Sequence, residues 1–169
     1  MAGRGLVVLG LDPGSNVTGF GVVAEVSGQA RLVEAGCVRT KAKDDFCARL
    51  GAIYHGVREV IEKHRPDEAA LEEVFVARNA ASALKLGQAR GAAVAACAAS
   101  ELPVFGYSPA QVKKSLVGAG RADKDQVAFM AAQVLGVKKI DGPRDATDAL
   151  AVALCRLSLR KYAKLAGAT

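Results

Sequence analysis

Short runs of apolar and β-branched residues, punctuated by turn signals, fill the first forty positions of the chain; after them apolar residues recur at helical spacing, interrupted by two brief strand-like runs. Leu6–Asp12 is an apolar run stopped by Asp-Pro-Gly, which predicts a strand entering a turn. Val17–Val26 sets Gly19 and Gly21 among β-formers, and residues 31–39 alternate loosely after the turn signal Ser27-Gly28. Three consecutive strands on short turns predict an antiparallel meander. Asp44 or Asp45 then caps a helix reaching about Arg65, with Phe46, Leu50, Ile53, Val57, Val60 and Ile61 on one side and Pro66 ending it. Glu68–Glu72 reads as a short buried strand, and Asn79 opens an alanine-rich helix to about Ser100. Residues 103–107 form another strand, Ser108-Pro109 starts a helix with proline in its first turn, and helices follow at roughly Lys124–Leu135 and 145–164.

A meander followed by alternating helices and strands predicts an α/β fold: a mixed sheet, antiparallel in its first part and parallel in its second, with helices on both faces. No internal repeat, linker or low-complexity tract divides residues 1–169, so a single domain is expected, with a short flexible N-terminus and a basic C-terminal tail. At this length roughly 70% of the unfolded chain's surface is buried on folding, enough for an unstapled core. The 51% hydrophobic and 24% charged content excludes a disordered chain, and 33 alanines against 5% aromatics favour helix. The longest weakly polar run, residues 91–99, is far short of a membrane span, and Gly10 and Asp12 interrupt the apolar stretch 6–11 that a signal peptide would need. Four cysteines without a C-x-x-C pair (Cys37, Cys47, Cys97, Cys155) read as buried, reduced thiols of a cytoplasmic protein. His55 and His64, without partners at metal spacing, read as surface or interface residues. The net charge of +6 permits nucleic-acid binding without requiring it.

The acidic residues change the picture. Strand parity sets Val8, Gly10 and Asp12 on one face, with Asp12 at the carboxyl end of a buried strand, where ligand sites of α/β sheets gather. Asp-Pro-Gly is also an ordinary turn sequence. Glu72 and Glu73 end a strand so apolar that an acid there is expensive to desolvate unless paired or bound to a cation; periodicity does not choose between them. Asp145 and Asp148, three residues apart, share the helix face that continues through Val152 and Cys155 and is expected to pack on the sheet. A cap at the positive end of the helix dipole explains one such acid, not two on the inward face. Three separate segments therefore deliver carboxylates to element ends, and oxygen donors of this kind bind hard cations such as Mg²⁺. No Ser/His or Cys/His set offers a competing nucleophile.

These residues resemble the RuvC family of bacterial Holliday-junction resolvases. Gly10-Leu11-Asp12-Pro13-Gly14-Ser15 with Gly19-Phe20-Gly21 is similar to the family's first strand pair. Leu71-Glu72-Glu73-Val74-Phe75 followed by the stretch Asn79 through Gly91 resembles its most distinctive block. Val112-Lys113-Lys114 with Val117-Gly118-Ala119-Gly120 and Lys124-Asp125-Gln126-Val127 makes a third match, and Asp145-Ala146-Thr147-Asp148-Ala149-Leu150-Ala151 a fourth, so the likeness covers about residues 6–157. It implies an RNase H-like fold with a five-stranded mixed sheet, a homodimer, and metal-binding, catalytic acids at Asp12, Glu72, Asp145 and Asp148, which selects Glu72 over Glu73. Where some members carry histidine at the first acid of the final pair, this chain has Asp145. The resemblance further maps a base-contacting aromatic onto Phe75 and DNA-binding lysines onto Lys113 and Lys124; Asp123 beside Lys124 and the extra charge of Lys114 depart from the pattern without touching a metal ligand.

The implied reaction is hydrolysis of a phosphodiester with two Mg²⁺ per subunit (Mn²⁺ a candidate substitute), giving 5′-phosphate and 3′-hydroxyl ends by paired nicks in a four-way junction during recombination and repair. Four carboxylates and two Mg²⁺ cancel in formal charge, which admits a polyanion. Around that centre, Arg78, Lys85 and Arg90 form one basic stretch and Lys113, Lys114, Arg121 and Lys124 a second across Gly118-x-Gly120, suited to backbone phosphates. A two-fold dimer presents two identical sites to opposed strands, and the small residues Ala80, Ala83, Gly87, Gly91 and Ala98 would let the central helix approach either a neighbour or the sheet. Family membership also implies a branch-migration motor as partner. The competing expectations are a junction-binding protein without catalysis and an ATP-binding protein of the actin and sugar-kinase group, whose second domain copy and second acidic turn this chain lacks.

Overall fold

The computed structural model describes residues 5–73 and 79–167. Among them, β1 (Leu6–Asp12), β2 (Val17–Val26), β3 (Gln29–Arg39), α1 (Phe46–His64), β4 (Glu68–Glu72), α2 (Ala80–Ala99), β5 (Val104–Tyr107), α3 (Pro109–Val117), α4 (Lys124–Leu135) and α5 (Arg144–Leu165) follow in order. The sheet order is β3-β2-β1-β4-β5, with β1–β2 and β2–β3 antiparallel and β1–β4 and β4–β5 parallel. This is the predicted meander plus two parallel additions, each reached through a crossover helix.

Local chemistry accounts for the boundaries. Asp45, Asn79, Ser108 and Asp123 each accept a hydrogen bond from the helix start they precede, and Ser108/Gln111 and Asp123/Gln126 close reciprocal capping boxes. Gly118 and Gly136 end α3 and α4 in the left-handed region that glycine enters without strain.

Parity divides the core in two. Leu9, Leu11, Val22, Ala69 and Leu71 face α1 and α2, whereas Val8, Val23 and Ala70 face α3, α4 and α5. On that second face α5 lies directly on backbone. A methyl group at Gly10 would overlap the Ala149 carbonyl, one at Gly19 the Asp145 carbonyl, and one at Gly21 the Leu150 side chain. Three glycines on two neighbouring strands thus form a flat bed for the helix, whose middle is buried from Ala149 to Cys155 between the sheet and α3–α4. The sheet is met by Ala149, Leu150 and Ala153, so the stripe carrying Asp148 runs along the flank of the packing face rather than on it.

Two expectations need correction. His64 is less exposed than expected: its half-buried side chain is 10% exposed and its Nε2 lies 2.7 Å from Glu34 Oε2 of β3, whereas His55 is exposed. The cysteines are all free, but only Cys97 and Cys155 are buried; Cys37 is half-buried and Cys47 exposed. Among the described residues no helix is long and apolar enough to cross a membrane.

Candidate active site

The parallel register sets Leu11 beside Leu71, so the next residues of the two strands, Asp12 and Glu72, end side by side at the carboxyl edge of the sheet. Both share the parity of Val8 and Ala70 and so face α5. Across the other edge of β1, Asp12 pairs with Gly19, and Gly19 is where the main chain at Asp145 rests. The first two turns of α5 are thereby set over the ends of β1 and β4. Glu73, by contrast, donates its N–H to the Tyr107 carbonyl at 2.8 Å and folds its carboxylate over Gly106, the partner of Leu71 on the α1–α2 face.

Asp12, Glu72 and Asp148 line one cavity of about 200 Å³, completed by Pro109, Val112 and Lys113 of α3, Lys124 and Val127 of α4, and Ala151 of α5. Asp145 lies outside this lining, yet its charge reaches both Asp12 and the Cys37 thiol. Burial, and then repulsion from Asp148, Asp145 and Glu72, pushes the Asp12 carboxyl up to about 7 against the opposing pull of Lys124. Glu72 is raised too, first by burial and then by Asp148, with Lys124 and Lys113 opposing. Lys124 Nζ donates to Asp148 Oδ2 at 2.7 Å, and this bond holds its ammonium above the usual lysine range.

Four carboxylates facing two ammonium groups make a centre short of positive charge, and oxygen donors without cysteine or histidine suit a hard divalent ion such as Mg²⁺. Among the described residues no three His, Cys, Asp or Glu side chains stand close enough to cage one ion. Asp12, Glu72 and Asp148 share a pocket, with Lys124 bound to Asp148 between them and Asp145 just outside the lining.

Of the other residues singled out in the sequence, Lys113 and Lys124 reach the pocket, Lys85, Lys114 and Arg121 are exposed, and Arg90 is half-buried with its Nε unpaired. Phe75 and Arg78 lie outside the described residues. The Lys124–Asp148 pairing was not foreseen; the partners are 24 residues apart and on different helices, and no local pattern links them.

The model of the family described as crossover junction endodeoxyribonuclease RuvC matches residues 8–156 of the chain. A protein of Oleidesulfovibrio alaskensis named crossover junction endodeoxyribonuclease RuvC is 60% identical over 166 residues, covering 98% of this chain and 99% of its own. One of the same name from Nitratidesulfovibrio vulgaris is 53% identical over 162 residues, covering 96% of each. Among solved structures, Thermus thermophilus RuvC in complex with Holliday junction substrate superposes with a TM-score of 0.87 at 39% identity, over 93% of this chain and 96% of that one. The yeast mitochondrial Holliday junction resolvase Ydc2 shares the fold, with a TM-score of 0.68 at 12% identity over 95% of this chain and 82% of that one.

Proposed function

The chain belongs to the RuvC family of crossover junction endodeoxyribonucleases, with its RNase H-like fold, and from that premise we propose that the acidic pocket is where it cuts a four-way junction, by metal-assisted hydrolysis of a phosphodiester. It is a Holliday-junction-resolving endonuclease. The observation that carries the site assignment is the meeting of Asp12, Glu72 and Asp148, from three separate segments, in one cavity.

Asp12, Glu72, Asp145 and Asp148 would hold the metal. Two Mg²⁺ held there would supply a water activated near neutral pH and positive charge beside the leaving oxygen. Asp12, at the end of the central strand, would serve as a ligand in its ionised form, because a carboxylate ligates only when ionised. Lys124, which donates to Asp148, and Lys113 beside it would offer their ammonium groups to a phosphate oxygen of the scissile strand. Arg78, Lys85, Arg90, Lys114 and Arg121 hold backbone phosphates along the arms, and Phe75 stacks on an unpaired base at the junction. The products are a 5′-phosphate and a 3′-hydroxyl, ends that ligation reseals.

The working unit is a homodimer. Ala80, Ala83, Gly87, Gly91 and Ala98 are all exposed, Leu84 is 64% exposed, and the sheet side of α2 is taken by Ala89, Ala93, Ala96 and Cys97. The small-residue stripe therefore faces away from the sheet, available to a second copy. The same family reading adds a branch-migration motor as partner and the cytoplasm, where free thiols persist, as the compartment.

The deciding experiment compares a labelled four-way junction with a matched linear duplex, with and without Mg²⁺. Cleavage of the junction alone, only with metal, is expected. Asp12→Asn should keep junction binding and lose cutting by at least a hundredfold; cutting at a tenth of the wild-type rate or more would remove Asp12 from the reaction.

A further inference from the structure

The turn that follows Asp12 is fastened from outside. Between Leu11 and the turn, β1 has lost its β4 partner, since the parallel pairing ends at Leu11 and Leu71, and Asp12 keeps only Gly19 of β2 beside it. Beyond that pair the strand ladder gives residues 13–16 no further support. The restraint comes from two side chains far away in sequence. Thr40, just past β3, donates its hydroxyl to the Ser15 carbonyl at 2.9 Å, with the Asn16 carbonyl at 3.2 Å, and its N–H to the Asn16 carbonyl at 3.0 Å. Arg49, in the first turns of α1, donates Nη2 to the Ser15 carbonyl at 2.7 Å and to Asn16 Oδ1, and Nε to the Thr40 hydroxyl at 3.3 Å.

The Thr40 hydroxyl is thus a relay, accepting from Arg49 and donating into the turn. Thr18, buried on β2, adds a bond from its hydroxyl to the Gly14 carbonyl at 3.2 Å. The guanidinium stacks on the Phe46 ring at 5.5 Å, which limits its rotation. This network lies on the α1 side of the sheet and touches none of the four acids, so it acts on them only through main chain.

We propose that Arg49, acting through Thr40, is a positioning residue for the cleavage reaction: it clamps the β1–β2 turn and so holds the Asp12 carboxylate in register with Glu72 and Asp148. This inference rests on the reading of Asp12 as a metal-holding, catalytic acid. The clamp adds what the strand pairing lacks, an anchor on the far side of Asp12. A small misplacement of a reacting group is amplified in the rate, far more than in stability.

The test uses the full chain with Thr40→Val, Thr40→Ser and Arg49→Met, and Asp12→Asn in parallel. Three quantities are read: single-turnover cleavage of a labelled junction, junction affinity without divalent ion, and Mg²⁺ affinity of the DNA-free protein by titration calorimetry. Melting curves confirm that each variant is folded; Thr40→Val matches threonine in volume and keeps the backbone bond to Asn16. Thr40→Val and Arg49→Met should cleave about tenfold more slowly and bind Mg²⁺ several-fold more weakly, with junction affinity within about twofold of wild type. Thr40→Ser should restore both rate and Mg²⁺ affinity, because it restores the hydroxyl. Wild-type cleavage and Mg²⁺ binding by Thr40→Val and Arg49→Met, beside an inactive Asp12→Asn, would overturn the clamp alone. Failure of Thr40→Ser to rescue, or junction affinity falling in step with the rate, would also overturn it. An active Asp12→Asn would bring down the reading of Asp12 and the clamp with it.

Discussion

Asp12 is pushed up to about 7 because it is buried among three other carboxylates and only partly relieved by Lys124. The folded protein therefore holds the Asp12 proton more tightly than the unfolded chain does. The stability tied to that proton is fully present below the ordinary carboxylate range near 3.8 and is lost as pH rises through about 7. Asp12→Asn removes the titration, so without divalent ions the variant should be more stable than wild type at pH 8, by about 2 kcal/mol, and no more stable at pH 3.5. The figure is about half the full linkage, since water reaches the pocket and the neighbouring acids relax. Urea denaturation at the two pH values checks it; equal stability at pH 8 would mean that the acids do not repel as placed. One residue thus trades stability for a centre that draws cations, a common feature of functional sites.

At the scale of elements, the position of α5 decides everything that the acids do, and three glycines decide the position of α5. Gly10, Gly19 and Gly21 let the helix rest on strand backbone. An alanine in place of a strand glycine ordinarily adds about 0.5–1 kcal/mol of stability. Gly10→Ala should do the reverse, destabilising by about 3 kcal/mol, because the new methyl meets main chain of α5 that cannot swing aside. The same variant should lose most of its cleavage, since Asp148 rides on the displaced helix; denaturation midpoints and a junction-nicking assay test both halves. At the opposite end of α5, Arg156 and Arg160 both grip Glu68 at the start of β4, and Arg156 stacks on the Phe105 ring at 3.4 Å. The helix is thus pinned to β4 at one end while its first turns meet Glu72, the last residue of that strand, at the other.

For the whole molecule, the stripe on α2 predicts assembly. A Cβ at Gly87 or Gly91 would meet nothing within 4 Å, so within one chain a larger residue is tolerated there. Gly87→Trp should leave the fold intact but shift sedimentation from dimer toward monomer, and it should replace paired symmetric cuts by isolated nicks in a junction assay. A Trp variant that remains dimeric would move the interface elsewhere on the surface.

Much of this is legible in the sequence. Strand and helix types, a cap at Asp44 or Asp45, the helix starts at Asn79 and Ser108, and the face of Asp12 follow from nearest-neighbour chemistry; the structure chooses Asp45, adds Asp123 as a cap, and shifts boundaries by only a residue or two, as at β3 and β5. Such features depend on residues within about one helical turn or one strand pair, a range over which hydrogen bonds and side-chain periodicity leave their mark on adjacent positions. Strand periodicity alone leaves Glu72 and Glu73 open, and the family resemblance chooses between them, whereas the flank position of Asp148, the Glu34 contact of His64, the Lys124–Asp148 bridge and the Arg49–Thr40 clamp are decided only where distant segments meet. Their partners are separated by tens of residues, and a chain carries no local trace of which surface a folded neighbour will bring against it.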